Sequence, residues 1–118
     1  MVTELSLANG RRADVVVLSP SGDIWIVEIK SCLLDFQTDD KWTEYRPNCD
    51  RLYFAVSPDF PCHVIPQDAG LMLADRYGAH LVWEPVDDRL GAAHRKAMML
   101  IFARAAALRL QHSPRPRL

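Results

Sequence analysis

The chain is poor in cysteine and contains no long hydrophobic run. Its three cysteines, Cys32, Cys49 and Cys62, are odd in number and include no C-x-x-C pair, which argues against a disulfide framework. Together with His63 they supply both zinc-ligand types, yet none of the usual paired spacings occurs, so no zinc site is expected. No apolar run approaches the roughly 18 to 20 residues a bilayer-spanning helix needs. The N-terminus lacks the basic-then-apolar form of a signal peptide, and the expectation is a reduced, cytoplasmic protein. Internal repeats and low-complexity blocks are absent. Acidic residues are missing from one region: all fifteen Asp and Glu fall in residues 1–88, whereas residues 89–118 hold half of the fourteen Lys and Arg and no acid. Such asymmetry suits a nucleic-acid or acidic partner for one part of the surface, or a helix whose basic residues pair with the acidic part.

A chain of 118 residues fits one domain with an ordinary core. Residues 3–8 alternate as a strand, NGRR signals a turn, and RADVVVLS and DIWIVEIKS flank the breaker SPSGD, so residues 12–30 read as a β-hairpin. Residues 35–46 are polar with Phe36, Trp42 and Tyr45, and read as a helix that Asp35 could cap and Pro47 would end. RLYFAVS is a buried central strand. LMLAD and HLVWE form two short strands around a turn. From Asp88 to about Gln111, Leu90, His94, Ala97, Met98, Ile101, Ala105 and Leu108 fall on one helical stripe that should dock on the sheet. His94 on that stripe reads as a core or boundary histidine. The tail, 112–118, is expected to be disordered. The order implies an α/β domain with a mixed sheet and helices on its faces.

The chemistry centres on IVEIKS. It reads as a buried strand, yet Glu28 and Lys30 project together from its other face. If residues 19–23 form a five-residue loop, Leu18 pairs with Ile24 and Asp14 lies opposite Glu28; a four-residue loop would separate the carboxylates. Two such charges about 4 Å apart repel by about 4 kcal/mol at an effective dielectric near 20. A cation must offset that, or one carboxyl must stay protonated. Lys30 supplies one charge, and Mg²⁺, which takes one or two carboxylates and completes its shell with water and phosphate, would satisfy the pair better. A metal-bound water beside an ammonium group can attack a phosphodiester. The competing account is a solvated sheet edge with a weak surface ion pair.

A strand-borne Asp, a hairpin turn, then Glu-x-Lys followed by a helix resembles the PD-(D/E)XK nuclease superfamily, with its restriction-endonuclease-like fold. The longer run GRRADVVVLSPSGDIWIVEIKSCLLDFQTDDKWTEYRPNCDRLYFAVSPDF, with AGLMLADRYGA, resembles the MmcB-like DNA-repair proteins of bacteria. The likeness extends from about Glu4 to about Arg104. It implies a single nuclease-like domain over 1–111, with Asp14 and Glu28 as ligands of Mg²⁺ or Mn²⁺, Lys30 as the catalytic lysine and the Ile29 carbonyl as a further ligand. Glu4 matches the extra acidic residue that many such nucleases carry before the hairpin, although this chain opens almost directly in a strand.

Lys41, Trp42 and Tyr45 follow Glu-x-Lys, where a lysine could touch phosphate and aromatic rings could stack on bases; packing of the aromatics on the core is the alternative. Arg11 and Arg12 could bind the DNA backbone or flank the turn in solvent. On the last helix, Arg89, Lys96 and Arg104 flank one side of the stripe, with Arg95 and Arg109 on the other, as snorkelling side chains or DNA contacts. The leading expectation is a metal-dependent DNA nuclease acting in repair. Its rivals are an inactive nuclease-fold module that binds DNA or a repair protein, and a plain α/β domain that works through its apolar surfaces. Exposed Phe, Trp and Met would favour a homodimer.

Overall fold

The computed structural model describes residues 1–38 and 40–112, with backbone alone for Asp35, Thr38, Asp40 and Lys41. β1 (Val2–Ser6) reaches a turn at Gly10, whose φ of 85° favours glycine, and returns as β2 (Arg12–Leu18). The five-residue loop 19–23 is closed by the Ser19 amide on the Asp23 carbonyl (2.9 Å) and the Gly22 amide on the Ser19 carbonyl (2.9 Å). β3 (Ile24–Lys30) then pairs antiparallel with β2, Leu18 opposite Ile24 and Val15 opposite Val27, which is the register that the facing carboxylates require.

Between β3 and the next strand the structure departs from the expected helix over 35–46. α1 (Leu33–Thr38) is followed by 3₁₀ turns at Asp40–Glu44 and Arg46–Asn48. Asp35 lies inside α1 and is not its cap. Pro47 sits within the second turn, near its start, where a missing amide costs little. The physical reason is the scarcity of apolar residues: Phe36 and Trp42 pack edge-on against Phe54 and Tyr45 joins the neighbouring cluster, and three anchors make no continuous stripe to hold one straight helix.

β4 (Arg51–Val56) lies parallel to β3, with Glu28 beside Phe54 and Lys30 beside Val56. β5 (Gly70–Asp75) is parallel to β4, and β6 (Gly78–Trp83) is antiparallel to β5, as the two expected strands around a turn. The six strands stand in sequence order in one mixed sheet. β4 is central and nearly all apolar because both of its faces are covered.

α2 (Ala92–His112) crosses one end of the sheet and rests on β1 and the second 3₁₀ turn. Met98 is buried among Val2, Leu5, Val16 and Ile26, with Ile101, Phe102 and Ala105 packed beside it. The expected stripe is only partly used: Leu108 is 56% exposed, and His94 and Ala97 are also exposed. The helix meets the sheet at its edge, so its far end runs past the core. Of the expected disordered tail, His112 belongs to this helix, and 113–118 lie outside the described residues.

Asp50 fastens these layers. Fully buried, it accepts the Ile24 amide (2.7 Å), the Leu90 amide (2.9 Å) and two guanidinium bonds from Arg95 (2.6 and 2.8 Å). Nearby, His94 Nε2 meets Asn48 Oδ1 at 2.9 Å, which ties α2 to the second 3₁₀ turn.

Candidate active site

On β3 the inward face carries Ile24, Ile26, Glu28 and Lys30, whereas Ile29 on the other face is 57% exposed. The two charges therefore share the face of the two isoleucines, a correction to the expectation that they point away from the buried side. Glu28 is 2% and Lys30 6% exposed. The segment after β3 roofs this face, because Tyr45 and Trp42 pack against the core cluster.

The β2–β3 ladder ends at Val15 and Val27. One position further on, each carboxylate reaches the other strand: the Asp14 amide donates to Glu28 Oε2 and the Ile29 amide to Asp14 Oδ2, both at 2.8 Å. Side chains thus take over where the backbone ladder opens, and both carboxyl groups are held in position. On β1 and β2 the buried residues are three apart, Val2 with Leu5 and Ala13 with Val16, so the inward face switches across Glu4 and Asp14. Glu4 has a φ of 51°, the positive value found at one non-glycine residue among those described. Such strain persists where the surroundings enforce it and clusters at functional sites. Glu4 and Asp14 line a cavity of about 390 Å³ with Thr3, Val15 and Ile29.

Burial pushes the Glu28 carboxyl up to about 7, and the Asp14 charge adds to the rise. The Asp14 amide, the Tyr45 hydroxyl and the Lys30 charge oppose it without prevailing. Near neutral pH Glu28 is therefore poised between its two forms. The one hydroxyl proton of Tyr45 has a second acceptor within reach, the Arg12 carbonyl (3.3 Å).

The other expected contact residues separate. Arg11 pairs with Glu44, while the Arg12 side chain is exposed. Trp42 packs edge-on against Phe54 (5.9 Å between centroids), and Tyr45 is buried, so both rings belong to the core. The Lys41 side chain lies outside the described residues. Among the described residues no three or more His, Cys, Asp or Glu side chains gather as a metal-holding group. The chemistry of the donors is of the hard kind that Mg²⁺ takes, two carboxylates each fixed by an amide through one oxygen, while the cavity that Asp14 lines includes neither Glu28 nor Lys30. The junction at Asp50 and Arg95 escaped the sequence reading; an Asp directly before an apolar strand was the available signal.

Fold and site together define an α/β domain with a mixed sheet, in which two anchored carboxylates and a buried lysine meet at an opened hairpin. Residues 1–116 match the family model described as DNA repair protein MmcB-like, and the chain belongs to that family. Its membership suggests a role in DNA repair. Among solved structures it is similar to the SPO1766 protein of unknown function from Silicibacter pomeroyi, with 44% identity and a TM-score of 0.89 over 93% of this chain and 75% of that one. No curated protein matches it. Among the described residues no helix is long and apolar enough to cross a membrane.

Proposed function

We propose that the protein is a metal-dependent nuclease of the PD-(D/E)XK type, restriction-endonuclease-like in topology, that hydrolyses DNA phosphodiester bonds during repair. The observation that carries this reading is the opening of the hairpin at Asp14 and Glu28, each anchored by an amide of the opposite strand, with buried Lys30 two residues on. A hairpin followed by a helical crossover into a parallel strand supports the topology. Membership of a DNA-repair family supports the substrate.

Asp14 and Glu28 would hold Mg²⁺ or Mn²⁺, with the Ile29 carbonyl and Glu4 as further ligands. When bound, the ion supplies Lewis-acid activation of a water and neutralises phosphate charge. Glu28 must release its proton to serve as a ligand, so binding is linked to pH. Lys30 orients the attacking water and offsets charge on the phosphate. Tyr45 holds Glu28 in place from the core, and Arg12 and Lys41 contact the DNA backbone.

The test is a calorimetric titration of Mn²⁺ into the full chain with duplex DNA present. Binding that disappears in both Asp14→Ala and Glu28→Ala is expected. Lys30→Ala should keep metal and DNA affinity and lose cleavage. No binding in the wild type would sink the metal mechanism and leave a non-catalytic module that binds DNA or a repair protein.

A further inference from the structure

The outer side of α2 is a surface that the described chain leaves uncovered, and it stands apart from the carboxylate site. Beside the residues that meet the sheet, Met99, Leu100 and Ala103 line a cavity of about 570 Å³ that Leu90 borders from the core side. Leu100 is 46% exposed, and Leu110 further along the helix is still more so. α2 has no acidic residue, and its seven polar residues of 21 gather at its two ends and at Arg104, so apolar residues occur around most of the circumference of its middle, AMMLIFARAAAL. A surface helix ordinarily turns a charged face to water, whereas one that is apolar all round is covered on every side. Only the sheet side is covered here.

The outer stripe runs through Ala92, Met99, Ala103 and Leu110, with steps of four or seven that match the seam of a helix pair, and Leu100 stands beside Met99. Its alanines let a second helix approach closely. The charge at its rim is of one sign. Arg95 is committed to Asp50, but Lys96 and Arg104 have no carboxylate partner among the described residues.

We infer that this face of α2 docks an amphipathic helix of another polypeptide, apolar along one seam and flanked by Asp or Glu. A second copy matches the face poorly, because two α2 helices laid together would bring Lys96 and Arg104 against their own counterparts, and residues 89–118 hold no acid to offset them. Nucleic acid matches it poorly as well, since an apolar seam makes no bond with phosphate. Charge complementarity therefore selects an acidic helix, docked by its apolar stripe.

The experiment uses the full chain and two synthetic helical peptides of about five turns, both with a leucine seam, one flanked by Glu and the other by Lys. Fluorescence anisotropy is expected to show the Glu peptide binding at least about tenfold more tightly than the Lys peptide. Leu100→Asp should weaken it by a similar factor, and Lys96→Glu with Arg104→Glu should reverse the preference. These side chains are exposed, so unchanged circular dichroism and melting midpoints will confirm intact variants. Equal binding of the two peptides, or binding indifferent to Leu100→Asp, would overturn the inference. A dimer in sedimentation that Leu100→Asp returns to monomer would overturn it in favour of a second copy.

Discussion

Glu28→Gln turns the buried carboxyl into a measurable quantity. The amide side chain has nearly the same shape and keeps an oxygen for the Asp14 amide, but it cannot ionise. In the wild type the carboxyl rises from its ordinary 4.5 to about 7, chiefly through burial. At about 1.4 kcal/mol per pH unit this corresponds to a cost of about 3 kcal/mol for holding the ionised form in the fold. Below pH 4.5 both folded and unfolded chains are protonated here, and the group costs nothing. Between 4.5 and 7 the folded chain binds more protons than the unfolded one, so stability falls as pH rises. Above 7 both forms are ionised and the loss is complete. Urea unfolding of wild type and Glu28→Gln at pH 5, 6, 7 and 8 isolates this contribution, because other titrating groups cancel in the difference. The two curves should lie within about 1 kcal/mol of each other at pH 5 and separate to about 3 kcal/mol by pH 8, with the variant the more stable. Parallel profiles, or a variant less stable than wild type at pH 8, would refute the reasoning. Under the nuclease reading, Mn²⁺ should reduce this separation by stabilising the ionised wild type, an effect absent in Glu28→Gln.

Asp50→Asn should cost about 3 to 5 kcal/mol in urea unfolding, because it leaves the Arg95 charge without its buried partner. Burial alone would raise the Asp50 pKa, but Arg95 and the Ile24 and Leu90 amides together hold it well below the usual carboxylate range. The stability from this group is present above pH 3.8 and is lost as pH falls below it; a variant within 1 kcal/mol of wild type would contradict this account. Cys49 is fully buried, and burial pushes its thiol up to about 12, whereas Cys32 is exposed. Iodoacetamide at pH 8 should therefore modify Cys32 in the native protein and reach Cys49 only after denaturation, as peptide mass spectrometry would record; equal rates would count against the packing described.

The hairpin was legible in the sequence because its information is local. Two β-branched runs around SPSGD define the strands, and the loop length sets which residues face each other, so Asp14 beside Glu28 followed from counting once the five-residue loop formed. β4 was legible for a related reason, since an apolar run with few polar interruptions suits a strand covered on both faces. The helix expected over 35–46 failed because propensity over a polar segment is weak, and three aromatic anchors are too few to hold one straight helix against the core.

The sequence by itself determined the succession of strands along the chain and the placement of Glu28 and Lys30 on one face of β3, both of which depend on neighbours in the chain; the five-residue loop that set the hairpin register and the side-by-side order of the strands were decided by the folded structure. Only the tertiary structure decided which side of β3 is inside, because that depends on what the 31–50 connection lays over it. It thereby buried Glu28 and set its proton affinity, which desolvation controls and composition does not. It also decided that one side of α2 meets β1 while the other stays open, since a helix apolar around most of its surface does not specify, from its own residues, which side the sheet will take.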